Sequence, residues 1–368
     1  MDHLSPSGAA EVRLVEQVLE ARNEGRCLEI RGGGTKRFYG GVPRGSLLDL
    51  RALSGVRSYE PTELVVTVRA GEPLARLEAL LAERGQHLAF EPPRFAAGGT
   101  VGGMVAAGLS GPGRIASGAL RDHVLGVRLL NGRGECLGFG GQMIKNVAGY
   151  DVSRLMAGSL GILGVLLEVS LKVLPVPPAS VTVALDGATQ ADALRRLSAW
   201  ASQALPIGAT AWHDGQLRVR LDGAAAAVRS ARSCVGGEAL DTEAGASWWT
   251  SVRDQTHPFF DVPPASLVRG VRLWRLSVPR GVPPLELSGE TFIEWGGALR
   301  WLRSREPIAY VRRVAAREGG HATLMRGDGR EAGPFSPLSP ALLQLHHRLK
   351  QAFDPERLFN PGRLYEGL

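Results

Sequence analysis

Two glycine-rich segments are the residues of this chain whose spacing best indicates a binding site. The first, GGGTK at 32–36, directly follows the apolar run at 27–30. The second, EPPRFAAGGTVGGMVAAGLSGPG at 91–113, has mainly small or apolar residues between its glycines. A surface linker would not interleave glycine with core-forming side chains such as Val101 and Met104. The pattern therefore predicts a buried backbone that approaches a flat, polar ligand closely.

The spacing of these glycines limits the class of ligand. Neither segment has the paired Lys and Ser/Thr of a P-loop, and neither has the Rossmann spacing after a first strand. Two separate loops of backbone N–H groups can hold a pyrophosphate from both sides. We therefore predict a large dinucleotide cofactor, and FAD fits two such loops better than NAD.

The basic composition does not indicate nucleic-acid binding. The net charge is +7, but only four of the 43 basic residues are lysines and the arginines are scattered singly. No basic run of five or more appears, and aromatic residues are not interleaved with basic ones. We read this as an ordinary arginine-rich surface, whose positive field also suits an acidic protein partner or a small carboxylate.

Cysteine usage and hydropathy predict a cytoplasmic protein. Cys27, Cys136 and Cys234 lie far apart without CxxC spacing, so we expect buried thiols and neither a disulfide framework nor a metal or cluster site. The first 14 residues have neither the basic start nor the apolar core of a signal peptide. The longest uncharged apolar stretch, 155–167, is too short to span a bilayer, so any membrane contact is expected to be indirect.

Hydrophobic periodicity predicts a mixed α+β chain. Helices are expected over 9–25, 73–84, 152–157, 190–204, 223–234 and 340–353. Strands are expected over 27–31, 47–50, 64–70, 87–90, 124–131, 135–139, 164–173, 181–185, 208–213, 216–221, 267–278, 291–295 and 321–326. The prolines between 175 and 178 interrupt this pattern, and we place a domain boundary there.

Four ordered motifs carry a family resemblance. They are EPPRFAAGGTVGGMVAAGLSGP, SGALRDHVLG, the run QMIKNVAGYDVSRLMAGSLGILGVLLEVSLKVLPVPP and the tail FDPERLFNPGRLY. Together they resemble the vanillyl-alcohol-oxidase-type flavoproteins and, within them, the FAD-binding subunits of bacterial glycolate oxidase. The resemblance implies an α+β fold with a PCMH-type, two-subdomain FAD-binding domain at 1–177. It also implies a smaller ferredoxin-like α+β cap at 178–330 and a C-terminal segment at 331–368 that returns to the FAD domain.

The resemblance also implies which residues contact FAD. The first pyrophosphate loop corresponds to Gly32, Gly33, Gly34, Thr35 and Lys36. The second corresponds to Pro92, Gly98, Gly99, Thr100, Gly102, Gly103 and Gly111. Asp122 matches a position near the cofactor, and the strand that contacts adenine through its backbone corresponds to Ile162, Gly164 and Val165. For Asp122 and Thr35, a capping or turn hydrogen bond is the alternative role.

Some members of the family attach the flavin covalently through a histidine in the first loop. This loop contains no histidine, so we expect FAD that dissociates. His123 follows Asp122 at a variable position and is expected to be structural.

No catalytic residue can be assigned from the sequence. Oxidising a 2-hydroxy acid requires a base for the hydroxyl proton and a group that holds the carboxylate. Of the eight histidines only His346 and His347 are adjacent, and neighbours on a helix point about 100° apart, which does not suit one metal ion. His257 is a lone candidate. We therefore predict no metal site.

Three functions remain open at this point. The first is an FAD-containing subunit of a glycolate oxidase complex, beside a second FAD-containing subunit and an iron–sulfur subunit, which supports oxidation of glycolate to glyoxylate. Such a complex would be cytoplasmic or would reach the inner membrane only through its other subunits. The second is a self-sufficient FAD-dependent 2-hydroxy-acid dehydrogenase. The third is a non-catalytic assembly scaffold with a flavoprotein fold, against which the intact glycine loops argue.

Overall fold

The computed structural model describes residues 6–141, 150–263 and 270–368. The start of the third motif, at 142–149, and the first residues of the predicted 267–278 strand lie outside this part of the chain. The helices are α1 (Pro6–Asn23), α2 (Leu74–Ala82), α3 (Val101–Ala107), α4 (Arg114–Ser117), α5 (Leu120–His123), α6 (Val152–Leu155), α7 (Gln190–Ala201), α8 (Ala225–Val235), α9 (Thr242–Arg253), α10 (Ile308–Arg317) and α11 (Pro340–Phe353).

The strands of the first half are β1 (Leu28–Arg31), β2 (Ser46–Asp49), β3 (Val56–Glu60), β4 (Val65–Arg69), β5 (Gln86–His87), β6 (Val124–Leu130), β7 (Cys136–Gly140), β8 (Val165–Lys172) and β9 (Leu174–Pro175). Those of the second half are β10 (Ala179–Leu185), β11 (Ile207–His213), β12 (Gln216–Gly223), β13 (Glu238–Ala239), β14 (Arg272–Ser277), β15 (Glu290–Glu294), β16 (Leu299–Ser304) and β17 (His321–Arg326).

The chain forms two compact units whose boundaries differ from the predicted ones. The first unit contains the described residues of 1–109, 119–175 and 337–368, and the second contains those of 110–118 and 176–336. The chain passes from the first unit to the second between residues 175 and 176, and back between residues 336 and 337. These positions lie close to the expected domain boundaries, which were 177/178 and 330/331. Residues 110–118, which the resemblance places in the FAD-binding domain, group with the second unit. Their contacts are with the second unit, where Trp295 Nε1 donates a 2.9 Å hydrogen bond to the Gly111 carbonyl.

The first unit has two hydrophobic cores on a shared sheet. Its five strands are ordered β3-β4-β8-β6-β7 and pair antiparallel. Val165 and Leu167 pack in a core with α1, β1 and β2, whereas Val169 and Leu171 pack in a core with α2 and α3. Side chains two residues apart normally share a sheet face, but the pairing of β6 with β8 shifts register near Arg128. This irregularity lets one strand serve both subdomains.

The second unit is built on one eight-stranded antiparallel sheet, in the order β13-β10-β12-β11-β15-β16-β14-β17. The segment β10-α7-β11-β12-α8-β13 has the ferredoxin-like strand order, in which the first strand lies between the third and the fourth. The segment from β14 to β17 repeats that order, with α10 before its last strand and no helix over 278–289. The cap therefore contains two ferredoxin-like halves joined by β11 and β15, which the sequence pattern did not distinguish.

The cysteines are less buried than the sequence predicts. Cys136 and Cys234 are exposed and Cys27 is half-buried, so the expectation of three buried thiols was wrong. Cys136 begins an edge strand and Cys234 lies on the outer face of α8, where neither side chain reaches a core. Within the described residues, no helix is both long and apolar enough to cross a bilayer.

Candidate cofactor-binding site

The first glycine segment lies directly against the second one. Strand β1 ends at Arg31, and the chain then passes through Gly32 and Gly33. A Cβ atom on Gly33 would overlap the carbonyl group of Gly98, and a Cβ on Gly32 would overlap the Thr100 hydroxyl. Only glycine therefore permits this backbone-to-backbone contact, which explains the residue type at both positions.

Residues 101–107 of the second glycine segment form helix α3, which the glycine spacing did not predict. Thr100 caps α3, and its Oγ1 accepts a 3.2 Å hydrogen bond from the Gly103 N–H. The Gly102 N–H donates to the Ala70 carbonyl at 2.7 Å, and a Cβ on Gly102 would lie 2.7 Å from the Ala70 Cβ. The helix therefore packs Gly102 against Ala70, directly after the end of β4, and this contact sets the position of the segment.

A cleft of about 820 Å³, open to solvent, runs along both segments. It lies wholly within the first unit. Nine of the 16 predicted cofactor residues line it, namely Gly32, Gly33, Gly34, Thr35, Lys36, Thr100, Gly102, Gly103 and Gly164. The glycines leave backbone groups at its wall, as binding of a pyrophosphate-containing ligand requires.

The charges of the cleft suit an anionic ligand. Four cations line it, namely Arg31, Lys36, Arg37 and Arg363, and among the described residues a single carboxylate does so, that of Glu29. Glu29 Oε1 lies 3.0 Å from Arg37 Nε and 3.9 Å from Arg31 Nε. Lys36 Nζ lies 5.6 Å from the centre of the Phe95 ring. Four cations against one carboxylate leave a net positive site, so the residues present fit the pyrophosphate of FAD.

Gly98 and Gly99 stay predictions, because they support the cleft without lining it. Gly98 has a φ of 83°, and its carbonyl packs against Gly33. The Gly99 carbonyl accepts a 2.8 Å hydrogen bond from the Leu74 N–H at the start of α2. Pro92 is buried just upstream and does not line the cleft.

The remaining predicted residues have structural partners of their own. The exposed side chain of Asp122 accepts a 2.9 Å hydrogen bond from the Ala119 N–H, which is the capping role named above as its alternative. The Ile162 carbonyl accepts a hydrogen bond from Lys350 Nζ at 2.6 Å. Val165 is fully buried in a core. Contacts of Gly111, Asp122, Ile162 and Val165 with FAD therefore stay predictions.

Two of the three cap histidines, His213 and His257, lie in an aromatic cluster. His213 Nε2 lies 2.9 Å from Glu290 Oε1, and the His213 and His257 rings are 5.4 Å apart. Burial, with a contribution from His213, lowers the pKa of His257 to about 4, and His257 Nδ1 accepts the Phe259 N–H at 3.2 Å. In the described part of the chain, no three His, Cys, Asp or Glu side chains come together to hold a metal ion.

His123, expected to be structural, is buried in the first unit. Its Nδ1 lies 3.2 Å from the Lys172 carbonyl, and its ring lies 5.1 Å from that of Phe90.

Two lining residues of the C-terminal tail were not among the predicted ones. Asn360 and Arg363 reach the cleft beside the first glycine segment. The signal for them was the tail motif FDPERLFNPGRLY, which the resemblance placed back on the FAD domain without assigning roles to its side chains.

Comparison with known proteins gives the family. A family model described as an FAD binding domain matches residues 6–140, and one described as the C-terminal domain of FAD linked oxidases matches residues 306–364. The chain is 45% identical over 356 residues to the glycolate oxidase subunit GlcE of Escherichia coli, covering 96% of this chain and 97% of that protein.

Two further comparisons are more distant. The chain is 30% identical over 156 residues to the glycolate oxidase subunit GlcD of Bacillus subtilis, covering 42% of this chain and 33% of that protein. An alkyldihydroxyacetonephosphate synthase structure superposes with a TM-score of 0.65 at 16% identity, covering 95% of this chain and 75% of that one, and it shows the shared fold. This chain therefore belongs to the FAD-binding subunits of bacterial glycolate oxidase within the FAD-linked oxidases, and its cofactor is FAD.

Proposed function

We propose that this chain is the FAD-binding subunit of a glycolate oxidase complex, which holds FAD non-covalently and supports the oxidation of glycolate to glyoxylate. In this proposal electrons leave through an iron–sulfur subunit, and a second FAD-containing subunit completes the complex. The observation that carries it is the match to GlcE, because that match spans nearly the whole of both chains, including the cap. FAD, when bound, supplies a two-electron acceptor.

The cap supports a division of labour between the two flavoproteins. A hydroxy-acid oxidase requires a base within reach of the substrate hydroxyl. His213 is paired with Glu290, and His257 accepts a backbone N–H among aromatic rings. These histidines already have structural partners, so we assign the oxidation step to the second flavoprotein and FAD binding with electron relay to this chain.

Anaerobic reduction by glycolate tests the proposal. The isolated chain and the chain co-expressed with its partner subunits are each mixed with glycolate, and the visible flavin spectrum is followed. We expect the flavin of the isolated chain to stay oxidised while that of the complex bleaches. Dithionite added to the isolated chain is the control that its flavin can be reduced.

The competing function is a self-sufficient dehydrogenase. Anaerobic reduction by glycolate distinguishes it from the proposed subunit function. Rapid bleaching of the isolated chain by glycolate would contradict the proposed division and establish that this chain oxidises the substrate itself. A colourless isolated chain that takes up no added FAD would contradict both functions.

A further inference from the structure

The guanidinium group of Arg363 lies inside the turn that follows the first glycine segment. Its Nη2 donates a 2.6 Å hydrogen bond to the Tyr39 carbonyl, and its Nη1 donates to the carbonyls of Arg37, at 3.1 Å, and Gly41. The backbone of the two segments is also joined, because the Gly41 N–H donates to the Arg363 carbonyl at 2.8 Å. Arg363 is 8% exposed. One buried cation therefore donates hydrogen bonds to three main-chain carbonyls of this turn.

Asn360 makes the corresponding connection at the other end of the segment. Its Oδ1 accepts a 2.8 Å hydrogen bond from the Ile30 N–H, within β1, and its Nδ2 donates to the Leu160 carbonyl at 2.6 Å. Its own N–H donates to the Leu28 carbonyl at 2.9 Å. The residue is 5% exposed and has a φ of 43°, a conformation that asparagine tolerates better than most residues. Both ends of the segment at 32–41 are thus held by the tail.

Glycines at the contact show how closely the two parts fit. Gly40 has a φ of 92°, and a Cβ there would lie 2.7 Å from the Arg363 carbonyl oxygen. A Cβ on Gly41 would overlap the Gly362 carbonyl, and one on Gly161 would lie 2.7 Å from Asn360 Nδ2. The tail therefore lies against the segment at distances that side chains would prevent.

From this geometry we infer that Arg363 and Asn360 are positioning residues for FAD binding. They hold the segment at 32–41 in its binding conformation before the cofactor arrives, which lowers the entropy lost on binding. Arg363 also places a buried positive charge on the wall of the cleft, where it favours a pyrophosphate. The inference rests on FAD as the cofactor and does not depend on whether this chain oxidises glycolate.

Titration of the apoprotein with FAD tests the inference on the full-length chain. Arg363→Met removes the charge and all three side-chain contacts, whereas Arg363→Lys keeps the charge and loses the forked geometry. Arg357→Met is the matched control, because Arg357 lies in the same tail with an exposed side chain. We expect the Kd for FAD to rise by about tenfold or more in Arg363→Met, by less in Arg363→Lys, and to change by less than about twofold in the control.

Chemical rescue separates positioning from a general loss of stability. Millimolar guanidinium ion should restore part of the FAD affinity of Arg363→Ala, whereas a merely destabilised protein would be weakened further by it. If Arg363→Met does not fold, Arg363→Lys is the test, with the melting temperature of its apoprotein as the second readout. Wild-type FAD affinity in Arg363→Lys would overturn the inference. So would an affinity loss in Arg363→Ala that guanidinium does not relieve.

Discussion

Lys350 and Asp354 form a buried ion pair one helical turn apart, with Lys350 Nζ 2.8 Å from Asp354 Oδ2. They are 1% and 0% exposed. Lys350 also donates to the carbonyls of Ile162, at 2.6 Å, and Phe359, at 2.9 Å. Asp354 accepts the N–H groups of Leu358 and Phe359 at 3.1 and 2.8 Å. The pair therefore fastens the end of α11 and the tail to the strand region predicted to contact adenine.

Breaking this pair should destabilise the first unit strongly. Lys350→Met leaves the Asp354 carboxylate buried without its cation, which costs about 3–5 kcal/mol of unfolding free energy. Urea denaturation followed by far-UV circular dichroism measures the loss. Arg348→Met, an exposed position on the same helix, is the control. The double variant Lys350→Met/Asp354→Asn should lose less than the two single losses added together, and simple additivity would show that the pair is not coupled.

Gly102→Val should abolish FAD binding, because a Cβ at this position would lie 2.7 Å from the Ala70 Cβ and 2.9 Å from the Ala70 carbonyl oxygen. Helix α3 would have to move away from β4 and out of the wall of the cleft. Gly138→Val is the matched control, since nothing lies within 4 Å of a Cβ there. The visible flavin absorbance of the purified proteins decides the outcome. A yellow Gly102→Val protein would contradict the predicted role of this glycine.

FAD itself should leave wild-type protein on acid precipitation, because the first glycine segment contains no histidine for covalent attachment. The flavin is expected in the supernatant, where its fluorescence measures the released fraction. Fluorescence that stays with the denatured chain on a gel would show a covalent link.

Stability of the second unit should depend on pH through His257. Its pKa is about 4 in the folded protein, lowered by burial from an ordinary value of 6.5. Between these pH values the unfolded chain binds a proton on His257 that the folded chain does not. The contribution of neutral His257 to the free energy of unfolding is therefore complete above pH 6.5 and is lost as pH falls towards 4. His257→Asn keeps an acceptor for the Phe259 N–H and should flatten this dependence.

Tryptophan fluorescence measures this transition selectively, because all seven tryptophans lie in the second unit. His346→Asn, in the first unit, is the control and should leave the pH dependence of that signal unchanged. If the stability of His257→Asn still falls as pH drops from 6.5 towards 4, the proton is bound by another group.

Trp295 should hold residues 110–118 to the second unit. Its indole N–H donates to the buried Gly111 carbonyl, and the Arg114 guanidinium lies 4.3 Å from its ring centre. Trp295→Phe leaves that carbonyl without its donor, at a cost of about 1–3 kcal/mol. Trypsin should then cleave faster after Arg114. Trp212→Phe, which loses a similar bond to the Ala188 carbonyl, is the control and should leave that cleavage rate unchanged.

The sequence alone determined the cofactor class and the two glycine loops that are predicted to bind it. A glycine has no side chain to place, so its role depends on local chain geometry that spacing reveals directly, and nine predicted residues line the cleft as a result. Helix and strand periodicity was also sufficient for most elements. An example is α7 at Gln190–Ala201, which buries one face through Ala193, Leu194, Leu197 and Trp200. The α+β fold with a PCMH-type FAD-binding domain, predicted from the motifs, is confirmed by the family models.

Only the tertiary structure decided which distant residues meet. Asn360 and Arg363 lie more than 300 residues after the glycine segment that they hold, and neither residue type indicates which backbone group it will bond. Likewise, the sequence of 110–118 reads as a continuation of the second glycine segment, yet its contacts are with Trp295. Periodicity reports which face of an element is buried but not what buries it, because the partner is chosen by packing across the whole chain.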